Sequence, residues 1–284
     1  MKKEPLIKVK NLFFKYKNAN DYALKNINLE IFPGEFILLI GPTGCGKTTL
    51  CRCLNGLIPH FYNGEFKGDV IIAGENTKAI PISKIATKVG MVFQNPENML
   101  FSLNVEREIA FGLENLGVHR EEIRRRVNNV IKLFGLENIR KKPPHELSGG
   151  EQQIVAIASI FVLKPSILIL DEPTANLDPT TALKVINLLT ELNKKFNTTI
   201  IIIEHRLEMI IPIVSRVIVM NDGQIVFDGT TEDVLKTTIL ESLGIQTPKA
   251  SLLIKQLLSK YPNLKLLQIP KTVDEAVKIL EELL

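Results

Sequence analysis

The stretch Gly41-Pro42-Thr43-Gly44-Cys45-Gly46-Lys47-Thr48-Thr49 constrains this chain more than any other. From Gly41 to Thr48 it satisfies the phosphate-binding pattern G-x-x-x-x-G-K-[ST]. An apolar run, Phe36-Ile37-Leu38-Leu39-Ile40, leads into it, and a helix-like segment from Thr49 to Leu54 leaves it. Strand, glycine loop and helix is the setting in which the pattern has physical meaning. Gly44 and Gly46 let the backbone curl with no Cβ in the way, so that successive N–H groups can face one anion. The helix N-terminus adds unpaired donors and partial positive charge. Lys47 is then placed to reach the β- and γ-phosphates, and the Thr48 hydroxyl to ligate Mg²⁺. The pattern implies a nucleoside triphosphate site.

The 284 residues suffice for one large domain and a small one. Hydrophobic residues at 45% and charged residues at 23% are ordinary globular composition. A net charge of +4 is modest for this length and does not suggest a nucleic-acid binder, which would show a basic stripe. The basic run Arg124-Arg125-Arg126, beside Glu121 and Glu122, reads as a solvated helix face. Cys45, Cys51 and Cys53 form no disulfide framework; Cys51 and Cys53, two apart on a helix, diverge. That usage fits a reducing compartment. No apolar run reaches the roughly 18–20 residues that span a bilayer, and Met1-Lys2-Lys3-Glu4-Pro5 is polar, unlike a signal peptide. Any work at a membrane is expected from outside the lipid.

Residues 6–32 alternate apolar and polar as half-buried strands do, with a turn at Asn18–Asp21. Tyr16, just before that turn, either stacks on an adenine or packs as a strand residue. Strands are expected at 69–73 and 88–93, the second ending at Gln94-Asn95-Pro96-Glu97-Asn98. Residues 104–142 read as helical until Pro143-Pro144. Leu147-Ser148-Gly149-Gly150-Glu151-Gln152-Gln153 opens a helix through Ile160. The apolar strand 166–170 ends in Asp171-Glu172, and after a helix over 179–196 the strand 199–203 ends in Glu204-His205. Such alternation implies an α/β core with its ligand site at the carboxyl ends of the strands. Asp171 stands where a carboxylate for Mg²⁺ is needed, opposite Thr48, and Glu172 is free to orient and polarise a water. His205 either bonds a γ-phosphate or, like most lone histidines, is structural.

Together Gly41–Thr48, Gln94, Leu147-Ser148-Gly149-Gly150, Ile167–Glu172, Asp178 and His205 resemble the nucleotide-binding subunit of an ABC transporter, over about residues 6–235. The resemblance implies a phosphate-loop ATPase with a RecA-like core, an antiparallel β subdomain and a helical signature subdomain, using ATP and Mg²⁺. It implies ATP contacts from Tyr16, Gly41, Pro42, Thr43, Gly44, Cys45, Gly46, Lys47, Thr48 and Thr49, and Mg²⁺ contacts from Thr48, Gln94 and Asp171. Glu172, His205 and Gln94 take catalytic roles. Leu147, Ser148, Gly149, Gly150 and Glu151 form the signature that meets the γ-phosphate held by another subunit, and Asp178 lies at the dimer interface. Glu151 replaces the commoner glutamine, and Ile154 stands where an arginine is usual.

A closer resemblance, carried by Asn55–Phe61, Val92–Asn98 and Glu108–Gly117, is to the ATPase of energy-coupling factor importers of cobalt, nickel and vitamins. It implies a head-to-tail pair of ATPases, identical or paralogous, peripheral at the cytoplasmic face of the cell membrane. They sit under a transmembrane coupling protein that carries a separate substrate-binding membrane subunit, with no nucleic-acid partner. The alternative is the ATPase of another ABC transporter type or a non-transport ABC ATPase. The DNA-repair type needs a coiled-coil insertion, for which the roughly hundred residues between Thr48 and Leu147 leave no room, and the translation type needs two sets of motifs. A GTPase reading fails because Asn193-Lys194-Lys195-Phe196 lacks the aspartate of a guanine motif.

The expected division is an ATPase domain over 1–235 and a small helical extension over 236–284. In the extension, Lys249–Lys260 carries Leu252, Leu253, Ile254, Leu257 and Leu258. A capping box, Thr272-Val273-Asp274-Glu275, opens a helix with Val273, Ala276, Val277, Leu280 and Leu284 on one side. These helices either pack on their own domain or make a dimer contact that needs no nucleotide. Glu97, Glu106 and Glu108, with Met99, Leu100 and Phe101, form either a solvated surface or a groove for the coupling protein. Cys45 is either a small residue that fits its loop or a thiol activated by the loop N–H groups and Lys47.

Overall fold

The computed structural model describes residues 4–261 and 268–283; Met1, Lys2, Lys3 and Leu284, used above, lie outside them. Strands β1 (Ile7–Tyr16), β2 (Leu24–Ile31), β4 (Gly64–Ile72) and β5 (Glu75–Asn76) form an antiparallel sheet in the order β2-β1-β4-β5. The second sheet contains β3 (Phe36–Ile40), β6 (Val89–Val92), β7 (Ile167–Asp171), β8 (Thr199–Ile203), β9 (Arg216–Asn221) and β10 (Gln224–Gly229), in the order β10-β9-β3-β8-β7-β6. It is parallel apart from β10, which returns antiparallel on β9.

Every residue of β3, β6, β7 and β8 is buried, because both faces of this sheet are covered. The period of two then divides the strands between two cores. Leu38, Ile40, Leu168, Leu170, Ile200 and Ile202 face a core of helices. Ile37, Leu39, Ile167, Ile169, Ile201 and Ile203 face the antiparallel sheet and the helix after the phosphate loop. The expected RecA-like core and antiparallel β subdomain are therefore both present.

The longer helices are α1 (Lys47–Leu54), α2 (Val105–Asn115), α3 (Arg120–Phe134), α4 (Gly149–Phe161), α5 (Pro179–Phe196), α6 (Thr231–Lys236), α7 (Lys249–Lys260) and α8 (Val273–Leu283). The stretch read as one helical region over 104–142 is two helices: Gly117 turns left-handed (φ +67°) after α2, and Gly135 (φ +67°) ends α3. The hairpin β9–β10, turning at Asp222-Gly223, was not read from the sequence. Both turn residues have positive φ, as the tightest hairpins require.

After α6, helix α7 buries Ala250, Ser251 and Ile254 and leaves Leu252 and Leu253 partly in solvent. On α8 the inward residues are Ala276, Ile279 and Leu280, while Val273 and Val277 are exposed. The apolar side expected for this helix is thus split between core and solvent. Only half of the expected capping box forms: Glu275 N–H donates to Thr272 Oγ1 (3.1 Å), but the Glu275 carboxylate accepts from Lys271 N–H (2.7 Å). No helix among the described residues is long and apolar enough to cross a membrane.

Candidate active site

The site is built where β3, β6, β7 and β8 end. Chain leaving β3 curls through Gly41–Gly46 and enters α1 with Gly46 at φ +106°. A Cβ there would sit 2.5 Å from the Ala23 carbonyl oxygen, so only glycine fits. Lys47 is buried, and its Nζ donates to the carbonyl oxygens of Gly41 (2.8 Å) and Pro42 (2.9 Å), folding the side chain along the loop. Cys45 is buried in that loop with its Sγ 3.8 Å from Lys47 Nζ, so the thiol packs rather than faces solvent. Burial pushes the Cys51 and Cys53 thiols up, away from reactivity. Tyr16 packs as a strand residue: its ring stands edge-on to Phe14, and its hydroxyl reaches Thr49 Oγ1 (3.1 Å) and accepts from Arg52 (3.2 Å).

Thr48 Oγ1 donates to Asp171 Oδ2 at 2.9 Å, joining the start of α1 to the end of β7. Burial holds the Asp171 carboxyl above the usual carboxylate range, against the pull of the Thr48 hydroxyl and Lys47. Glu172 follows in a left-handed conformation (φ +49°), rare for a non-glycine residue, with its N–H bonded to the Ile203 carbonyl oxygen (2.9 Å). That turn presents the carboxylate between two loops. Gln94 Nε2, just past β6, donates to Glu172 Oε2 (2.8 Å), and His205 Nε2, just past β8, donates to Glu172 Oε1 (3.0 Å). The three residues expected to act together, far apart in sequence, meet on one carboxylate.

Glu204 was missed by the sequence reading, although it too is an acidic residue at a buried strand end. It is buried and accepts from Thr174 N–H (2.9 Å) and Oγ1–H (2.5 Å), tying the loop after Glu172 to β8. Arg206 donates to the Leu177 carbonyl oxygen (3.0 Å) and ties the same loop further on. Asp178 ends this loop as the N-cap of α5, accepting from Thr180 N–H (3.0 Å) and Thr181 N–H (3.1 Å). The Thr181 hydrogen bonds hold its carboxyl below the usual range.

Ser148 is the N-cap of α4 and forms a full capping box with Glu151. Glu151 Oε2 accepts from both Ser148 N–H and Oγ–H at 2.8 Å, and these bonds lower its pKa. Leu147 is buried, Ser148 and Gly149 are exposed, and Gly150 packs so closely on α5 that a Cβ would meet Thr181 Cγ2 at 2.3 Å. Ile154 is half-buried and packs against the helical core. A cleft of about 120 Å³ runs between Gln94, Glu97, Gly149, Glu172 and Asn176, bringing the signature helix next to the strand-end cluster.

Two carboxylates expected at the surface are not available there. Glu106 is ion-paired with Arg140 and Lys141, which hold its pKa at about 2. Glu108 is buried and accepts from the N–H groups of Phe101 (3.0 Å) and Ser102 (2.7 Å). Met99 and Leu100 are half-buried against the core. What remains exposed is Glu97 and an apolar strip of Phe101, Leu103 and Phe111, with the two phenylalanine rings edge to face at 4.7 Å.

The sequence pattern of the ABC transporter family matches residues 24–175, more than half of the chain. The chain belongs to the ABC transporter family. This ABC ATPase is 46% identical over 244 residues to a Pyrococcus abyssi protein named as an ABC transporter ATP-binding protein, covering 86% of this chain and 87% of that one. It also matches a Caldanaerobacter subterraneus subsp. tengcongensis protein of the same description at 44% identity, covering 97% of this chain but only 48% of that longer one. Among solved structures, cbiO1 from Clostridium perfringens, part of the ABC transporter complex cbiONQ, superposes with a TM-score of 0.75 at 33% identity, covering 89% of this chain and all of that one. The dimeric cassette MJ0796, bound to ADP and Pi in a post-hydrolysis state, superposes at 0.68 with 31% identity, covering 79% of this chain and 98% of that one. The ABC ATPase binds and hydrolyses ATP on the fold these cassettes share.

Proposed function

We propose that this ABC ATPase powers an energy-coupling factor importer of a vitamin or transition-metal ion. Two copies, or one copy and a paralogue, work head to tail at the cytoplasmic face of the membrane, under a transmembrane coupling protein with a separate substrate-binding membrane subunit. The observation that carries the reading is the likeness to cbiO1, part of cbiONQ, over 89% of the chain. The stretches Asn55–Phe61, Val92–Asn98 and Glu108–Gly117 support it. A second reading, the ATPase of another ABC transporter type, draws on the MJ0796 cassette.

In the proposed reaction Lys47 exchanges its two carbonyl partners for phosphate oxygens. Glu172, steadied by Gln94 and His205, orients the attacking water and accepts its proton. Tyr16 lies beside the adenine. Ser148 and Gly150 of the second ATPase donate to the γ-phosphate from the opposite side, as a helix N-terminus is suited to do, and Asp178 lies where the two subunits meet. Thr48, Asp171 and Gln94 offer oxygen donors of the kind Mg²⁺ takes, and Thr48 and Asp171 already touch. Mg²⁺ commonly keeps several waters and takes substrate phosphates beside one or two protein oxygens. Bound there, Mg²⁺ would neutralise charge on the phosphates.

Residues 1–235 form the ATPase domain in this reading. Residues 236–284 form a dimerisation unit whose exposed Leu252, Leu253, Val273 and Val277 are its contact face. Glu97 and the Phe101–Leu103–Phe111 strip receive the coupling protein. Affinity purification from detergent-solubilised membranes tests the assembly: a coupling protein and a distinct small substrate-binding membrane protein should co-purify. Recovery of exporter-type membrane subunits alone would overturn the importer reading and leave the ATPase in place. Glu97→Lys should weaken that assembly without changing ATP binding by the isolated subunit.

A further inference from the structure

Away from the nucleotide end, α3 meets the C-terminal ends of α4 and α5. Between them lies a cavity of about 310 Å³. Its floor is apolar, formed by Val130, Leu133, Phe161 and Phe196. Phe196 is 51% exposed, a large share for an aromatic ring, and stands edge-on to Phe161 at 5.3 Å. The rim is cationic: Arg125, Arg126 and Lys164. One carboxylate, Glu122, serves both arginines, accepting from Arg125 Nε (2.7 Å) and Nη2 (2.9 Å) and from Arg126 Nε (2.6 Å). It fixes the two guanidinium planes yet balances only one of the two charges. Lys164 has no carboxylate partner among the described residues.

The volume sits at the lower end of small-molecule sites, roughly 300–1,000 Å³, which pair an apolar aromatic floor with a few convergent polar groups. Cations at the rim select an anion, and a guanidinium fork suits the paired oxygens of a carboxylate, sulfonate or phosphate. We infer that this cavity binds a small amphipathic anion, its flat apolar body against Phe161 and Phe196 and its charged group on Arg126 and Lys164. None of these residues belongs to the nucleotide site. The cavity lies at the far end of the signature helix: α4 runs 13 residues from the capped turn to Phe161, about 20 Å at the rise of an α-helix. An occupant joins α3 to the far end of the helix that carries Ser148.

The probe is 8-anilinonaphthalene-1-sulfonate, titrated by fluorescence into the full chain with and without saturating MgATP. One saturable site is expected, unaffected by MgATP, and weakened by about tenfold in Phe196→Ala and by several-fold in Lys164→Gln. Both side chains are exposed, so neither change threatens folding. N-phenyl-1-naphthylamine, which keeps the rings and lacks the sulfonate, should bind about tenfold more weakly. Absence of a saturable site, titrations within about twofold of the parent in both variants, or displacement of the dye by MgATP would each overturn the assignment.

Discussion

The strand-end cluster and the signature turn are both assembled from short polar residues beside helix N-termini, yet they are held in opposite ways. In the first, Thr48 bonds Asp171 across 123 positions, Gln94 bonds Glu172 across 78 and His205 bonds Glu172 across 33. Four buried strands bring those partners together. In the second, the Ser148 and Glu151 side chains bond within a single turn, three positions apart, with Ser148 and Gly149 exposed. One region is fixed by the sheet and the other by a single helical turn. The sheet-built region is held from several strands at once, while the turn stands exposed at the N-terminus of α4.

The largest effect should come from breaking the sheet-built region at its centre. Glu172→Gln is expected to lower ATP turnover by ~10²–10⁴-fold while leaving ATP binding nearly unchanged, since the carboxylate is not among the groups that cradle phosphate. Phosphate release and calorimetric ATP binding on the same preparation separate the two. Parental turnover in the assembled complex would remove Glu172 from the role of base. Lys47→Ala should do the reverse, weakening ATP binding by roughly ten- to a hundredfold through loss of a charged hydrogen-bond donor. ATP affinity equal to the parent's would mean that Lys47 keeps its carbonyl partners throughout.

This contrast also explains what was legible in the sequence. The phosphate loop, the β7 strand ending in Asp171-Glu172, and the signature helix were legible because each is a local pattern whose geometry follows from its own residues. Asp178 and Ser148 prove to be N-caps, a role the sequence reading did not give them although a cap is a pattern of about four residues. Glu204 was not legible, because its partner Thr174 is thirty positions away and only the β7–β8 pairing brings them together. The hairpin β9–β10 was missed although Asp222-Gly223 is a turn signal. Glu106 and Glu108 were misjudged for a related reason. A helix pattern shows which residues share a face, but not that Arg140, Lys141 and the Phe101–Ser102 backbone would close over that face.

Glu106 sharpens the comparison from the side of the helical region, where stability rests on ion pairs as well as packing. Its folded pKa of about 2 lies below the ordinary 4.5 because Arg140 and Lys141 donate to it. A depressed carboxylate pKa stabilises the fold above the ordinary value, and that stabilisation is lost as pH falls from 4.5 through 2. Glu106→Gln should therefore cost about 1 kcal/mol at neutral pH, the part-exposed pair being screened by solvent. Urea unfolding as a function of pH should show the gap to the parent closing below the ordinary carboxylate range. A gap that persists undiminished to pH 2 would assign the loss to packing instead of charge.

The smallest expected effect falls on the signature turn itself. Glu151 accepts from both Ser148 donors and sits at the N-terminus of α4, where a negative charge is favoured by about 0.3–1 kcal/mol. Glutamine keeps an oxygen that can accept from Ser148 but removes the charge. Glu151→Gln should thus lower stability by well under 1 kcal/mol at neutral pH, and the difference should vanish as pH falls through the lowered pKa of Glu151. The same charge works against the proposed partner, because a carboxylate beside Ser148 repels a phosphate approaching that turn. Removing it should favour ATP-dependent association of two subunits by a few-fold, about what 1 kcal/mol provides. Sedimentation of Glu172→Gln chains with and without the second substitution measures this at fixed ATP. Tighter association with slightly lower stability would mark Glu151 as a charge that favours the folded turn and opposes the ligand. Association left unchanged would mean that the turn does not face phosphate.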